Sequence, residues 1–178
     1  MKIEKTEFPE DSVLSKGKAL FDYTDSFTGE VLNIGKRITT ADIGQTFFTS
    51  SPQWGKKLFA FRNRIVKMFG LKTGVNRNEK LPSEDCKMEV GEQVGIFTIF
   101  EKTDTEMILG ENDKHLDFRV SLLYHKAQNS NEGNYLTIST TVKYHNWLGI
   151  LYFLPVRPFH QLIVPVMLRK MIQKLENR

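Results

Sequence analysis

The sequence predicts a single α+β domain, an antiparallel β-sheet curled around a proline-interrupted, mostly apolar C-terminal helix. Three observations predict it. Leu116, Phe118, Val120, Leu122 and Tyr124 alternate with Asp117, Arg119, Ser121 and His125, the pattern of a strand with one face in a core and one in water. After a turn at Asn129–Asn134, Leu136, Ile138, Val142 and Tyr144 repeat that alternation against Thr137, Ser139, Thr141 and Lys143. From Phe159 to about Glu176 the period changes to that of a helix, with Leu162, Ile163, Val166, Met167 and Met171 as its apolar stripe.

The 178 residues suit one domain and a substantial core. Residues 1–17 read as a flexible lead-in and residues 18–178 as the domain itself. Lys18 to Phe27 reads as the first strand, with Ala19, Phe21 and Tyr23 alternating against Leu20, Asp22 and Thr24. Thr39-Thr40 marks a helix start, since a threonine oxygen can accept from an early helical N–H and Asp42 favours the positive helix end. This helix is expected to run to about Phe48. Ser50-Ser51-Pro52 opens a second helix, with Trp54, Leu58, Phe61, Ile65 and Met68 on one face and Gly70 as terminator. Residues 71–86 form a polar connection. Val94–Lys102 and Glu106–Gly110 begin the antiparallel meander. Trp147–Leu154 reads as a short helix or turn, broken at Pro155-Val156-Arg157-Pro158 before the long final helix. Pro165 predicts a bend near residues 161–165, because it cannot donate to the Gln161 carbonyl.

Composition narrows the function classes. Net charge is +4 and acidic residues are interspersed among the basic ones, so the basic surface reads as solvated mixed charge. Aromatic residues are not interleaved with Lys and Arg as stacking platforms for nucleic acid require. Cys86 is the single cysteine; it forms no intrachain disulfide, belongs to no zinc-ligand spacing and fits a reducing cytoplasm. No Gly-rich phosphate loop or metal-ligand helix motif occurs, and the reading includes no cofactor and no metal. The N-terminal MKIEKTEFPEDS lacks the apolar core of a signal peptide. Trp147 to Leu168 is apolar on average, but Pro155, Arg157, Pro158, His160, Gln161 and Pro165 interrupt it, so no membrane span is expected.

The order of strand, two helices, antiparallel meander and long C-terminal helix resembles the helix-grip fold of the START-like superfamily, which includes lipid-transfer domains and polyketide cyclases. The strings DYTDSF at 22–27, RNRIVKMFGLK at 62–72 and HNWLGILYFLPVRPFH at 145–160 resemble a bacterial family of unknown function placed in that superfamily. The resemblance covers about residues 18–175. It implies an internal apolar cavity between sheet and final helix, used to hold hydrophobic ligands; it carries no activity.

Five residues stand out as candidate ligand-binding groups: Asp25, Arg62, His145, Arg157 and His160. Asp22 and Asp25 could do acid–base work, or serve as turn caps or ion-pair partners. Arg62 could anchor a carboxylate or phosphate through its planar fork, or form a salt bridge to Asp22 or Asp25. His145 and His160 flank the expected helix break, where a histidine could titrate near neutrality or simply bond loose carbonyls. The leading expectation is binding of a small hydrophobic molecule or lipid in an internal cavity. The alternative is a cavity enzyme of cyclase, dehydratase or hydrolase type, and nucleic-acid binding ranks last.

Overall fold

The computed structural model describes residues 1–32, 37–50, 88–127 and 133–177. The two period-two stripes form neighbouring strands, β6 (Leu116–His125) and β7 (Asn134–Tyr144). Their apolar positions lie opposite one another: Phe118 opposite Val142, Leu122 opposite Ile138, Tyr124 opposite Leu136. That register follows from the pattern, because a slip of one residue would turn every apolar side chain outward. Around them lie β1 (Ile3–Thr6), β2 (Tyr23–Val31), β3 (Gln93–Val94), β4 (Phe97–Lys102) and β5 (Glu106–Asn112). The described strands make one antiparallel sheet in the order β1-β2-β7-β6-β5-β4-β3. Gly95, at φ +61°, supplies the left-handed residue that the turn between β3 and β4 needs.

Among the described residues, two α-helices accompany the sheet. The first, α1 (Thr40–Thr49), begins as expected with a capping box. The Thr39 hydroxyl accepts from the Asp42 N–H at 3.2 Å, and the Asp42 carboxylate accepts from the Thr39 N–H at 2.9 Å. The second, α2 (Trp147–Glu176), starts on Asn146, whose side-chain oxygen accepts from the Leu148 and Gly149 amides. The core lies between α2 and one face of the sheet. Val164, Leu168, Met171, Ile172 and Leu175 meet Phe27, Val31, Met107, Leu109, Leu122 and Ile138, and α1 adds Ile43 and Phe47. Each fully buried side chain of this size contributes roughly 1.5–3 kcal/mol. Gly29 permits the close approach, since a Cβ there would lie 2.5 Å from Ile3 Cδ1 and 2.6 Å from Ile172 Cδ1.

Three local readings are corrected. The stretch expected to be the start of the first strand is a 3-10 helix over Val13–Leu20, and the strand runs from Tyr23 to Val31. Ser12 caps that turn by accepting from the Leu14 N–H. The stretch read as a flexible lead-in carries β1, which pairs with β2, and Ser12 and Val13 donate to Glu106 of β5. The break expected at Pro155–Pro158 is absent: α2 is continuous and contains Pro155, Pro158 and Pro165. Prolines at these places free the carbonyls of Leu151, Leu154 and Gln161. Leu151 and Leu154 are exposed, so water can take over from the missing N–H groups. The second helix expected over 52–69 lies outside the described residues.

Candidate functional site

Strand alternation places Tyr23, Asp25, Phe27, Gly29 and Val31 of β2 on one side of the sheet, the side α2 covers. Asp25 is therefore a carboxylate aimed into the core, with its side chain 1% exposed. Directly across the ladder stands Thr140, a polar residue between Ile138 and Val142 in the inward stripe of β7. One turn pair of α2 lies over them. His160 Nε2 is 3.3 Å from Asp25 Oδ1 and 3.0 Å from Thr140 Oγ1. The Tyr23 hydroxyl donates to Asp25 Oδ2 at 2.6 Å and accepts from Gln161 Nε2 at 3.1 Å. Arg157, one turn earlier and exposed, holds its guanidinium 5.0 Å from the centre of the Tyr23 ring. Phe153 packs on the same ring at 4.8 Å.

The chemistry of the cluster follows from these contacts. An ionised Asp25 only accepts, so the histidine nitrogen facing it carries a proton. In neutral His160 the other nitrogen, Nδ1, is then an acceptor. The Tyr23 hydroxyl is pushed up to about 12, first by burial and then by the Asp25 carboxylate that accepts its hydrogen bond. Gln161 and Arg157 pull it back in part. At neutral pH Tyr23 is accordingly a fixed neutral donor. The arrangement can orient a polar group presented beside Arg157 and His160, and it can move a proton through His160.

Of the five candidate residues, the fold brings Asp25, Arg157 and His160 together. His145 sits elsewhere, 3.0 Å from Asp117 Oδ1, and about 20 Å of α2 separates it from His160. Arg62 lies outside the described residues, as does Cys86. Asp22 accepts from the Tyr144 N–H at 2.7 Å, which ties the end of β7 to the start of β2. Tyr23, Thr140 and Gln161 were not among the sequence candidates. Two of them left a signal: Tyr23 shares Asp25's strand parity, and Thr140 interrupts an otherwise apolar stripe.

Beneath the C-terminal half of α2, Leu168, Met171 and Ile172 are wholly buried. An open cleft of about 620 Å³ occurs on the opposite face of the sheet, lined by Thr6, Thr28, His125, Tyr135 and Thr137 among others. It contains none of the Tyr23–Asp25–His160 cluster, whose buried and charged groups make the more specific arrangement. Among the described residues, no group of three or more His, Cys, Asp and Glu is placed to hold a metal ion. No curated protein and no solved structure matches the chain. One family model does match, over residues 19–167, which include β2, α1, β3 to β7 and most of α2 with the whole polar cluster. The chain belongs to the family described as a protein of unknown function, DUF2867.

Proposed function

We propose that the protein binds a small hydrophobic molecule or lipid between its curved sheet and α2, with the polar cluster orienting the ligand's head group. The observation that carries this reading is the placement of Asp25, His160 and Arg157. A buried carboxylate fixes a partly exposed imidazole beside an exposed guanidinium, in a wall of Tyr23, Phe153 and Val142. Apolar walls with a few oriented polar groups are the usual make-up of such sites. Arg157 suits an anionic head group, which its fork can bond at two points. An open antiparallel sheet with a long C-terminal helix is also the arrangement of the START-like helix-grip superfamily, and kinship with it belongs to the same reading.

The test is binding of a fluorescent fatty-acid probe and its displacement by unlabelled fatty acid. Arg157→Ala and His160→Ala are expected to weaken binding about tenfold each, the worth of a charge-assisted hydrogen bond. Absence of binding across varied apolar probes overturns the proposal. A second reading is an enzyme of cyclase, dehydratase or hydrolase type. It rests on the 3.3 Å Asp25–His160 contact, which leaves Nδ1 of neutral His160 free to act as a base. Mass spectrometry of ligand recovered after incubation separates the two: an altered ligand supports the enzyme.

A further inference from the structure

A helix on the surface of a folded domain normally presents a polar outer face. Over its first half, the outer face of α2 does not. Its inner stripe, including Phe153, Val164, Leu168 and Ile172, is buried on the sheet. Opposite runs a second apolar stripe: Trp147, then Leu151, Leu154, Pro158 and Leu162 at i+4, i+7, i+11 and i+15. Trp147 is 68% exposed, and Leu154 and Leu162 are each 64% exposed. Single exposed leucines are ordinary, but a row of them along the first half of a helix marks a docking surface.

Charge on α2 indicates what docks. From Trp147 to Leu175 every charged side chain is basic: Arg157, Arg169, Lys170 and Lys174, with Glu176 the first carboxylate. Arg169 and Lys170 are exposed just past the end of the apolar row. Lys174 donates to the Thr49 carbonyl. At the other end, Asp117 is in contact with His145, and the exposed Lys114 and Lys143 offset Asp113. An apolar row edged by arginine and lysine, with tryptophan at one end, is the composition of a helix lying in a lipid interface. By length and composition α2 could also cross a membrane. Its inner stripe is committed to the sheet core, so a flat-lying orientation is the one this fold permits.

We propose that the outer face of α2 docks on an anionic lipid bilayer, with Trp147, Leu151, Leu154 and Leu162 entering the headgroup boundary and Arg169 and Lys170 contacting anionic headgroups. The proposal does not depend on the ligand-binding reading: it is tested by vesicle binding, which a failed fatty-acid assay leaves untouched.

The full chain is floated with vesicles of phosphatidylcholine alone and with added phosphatidylserine. Binding is expected to favour the anionic vesicles, and in a Trp54→Phe background Trp147 emission shifts to the blue on binding. Leu154→Asp with Leu162→Asp abolishes binding. Arg169→Glu with Lys170→Glu weakens binding to anionic vesicles by about tenfold or more and leaves binding to neutral vesicles unchanged. These positions are solvent-exposed, and circular dichroism checks that each variant is folded. Three results overturn the proposal. One is no flotation with either vesicle, or variants that float like the parent. Another is a dimer in light scattering that Leu154→Asp dissolves, which makes a second copy the occupant. The third is Trp147 shielded from an aqueous quencher without vesicles, which makes the chain itself the cover.

Discussion

Replacing Tyr23 by Phe removes one oxygen from the centre of the polar cluster and leaves its packing against Phe153 in place. The lost hydroxyl donates to Asp25 at 2.6 Å and accepts from Gln161 at 3.1 Å. Loss of a hydrogen bond to a charged group costs about 1.5–3 kcal/mol, and Asp25 has no water to substitute, being 1% exposed at its side chain. Tyr23→Phe is therefore expected to be destabilised by that amount at pH 7. Its pH dependence gives a sharper test. The hydroxyl titrates at about 12 in the folded protein, against 10.0 ordinarily. A raised folded-state value means stability that is complete below pH 10 and lost as pH rises toward 12. Two pH units correspond to about 2.7 kcal/mol as an upper figure. The variant lacks this loss, so its disadvantage should shrink by about 2 kcal/mol over that window. Urea unfolding of both proteins at matched pH values measures the difference, in which the other tyrosines and the lysines cancel. A variant as stable as the parent at pH 7, with a parallel stability curve above pH 10, would refute the assignment of Tyr23 as Asp25's donor.

Two further substitutions probe the frame around the site. Glu106, buried in β5, accepts from Ser12 Oγ at 2.6 Å, from the Val13 N–H at 2.7 Å and from Ser121 Oγ. Glu106→Gln sets a donor against one of these donors, costing about 1–3 kcal/mol, and should speed tryptic cleavage at Lys16 and Lys18; unchanged cleavage kinetics would show that Glu106 does not hold the N-terminal segment. Gly149→Ala places a Cβ on the His115 carbonyl oxygen, which is backbone and cannot rotate away. Thermal unfolding should show a loss of about 3 kcal/mol or more, and a loss under 1 kcal/mol would mean that the start of α2 is free to shift.

What the sequence determined by itself was local. The stripes at 116–124 and 136–144 specified two strands and which side chains of each share the apolar face, because side chains alternate with a period of two whatever the neighbours; on the other face, read as lying in water, the fold buries Ser121, Thr137, Ser139 and Thr141. Thr39 and Asp42 specified the start of α1, because a capping box closes within four residues. Asp25 was visible as one of two carboxylates on the first strand, and Arg157 and His160 as polar residues interrupting an apolar stretch. Tertiary structure decided the rest. It carried α2 unbroken through Pro155 and Pro158, because Phe153 on one side and Val164 on the other are both buried in the fold, where local propensity alone favours a break. It turned the N-terminal segment into an ordered strand and turn through Glu106, more than ninety residues away in the chain. It also chose which polar residues meet. Arg62, read as a partner for Asp22 or Asp25, lies outside the described residues; among those described, Asp25 meets Tyr23 and His160. Pairing of β2 with β7 sets Asp25 against Thr140, and the path of α2 brings His160 over both. Spacing along the chain holds no record of these distances, because contacts across a sheet and beneath a helix depend on strand order and helix path, which only the folded chain specifies.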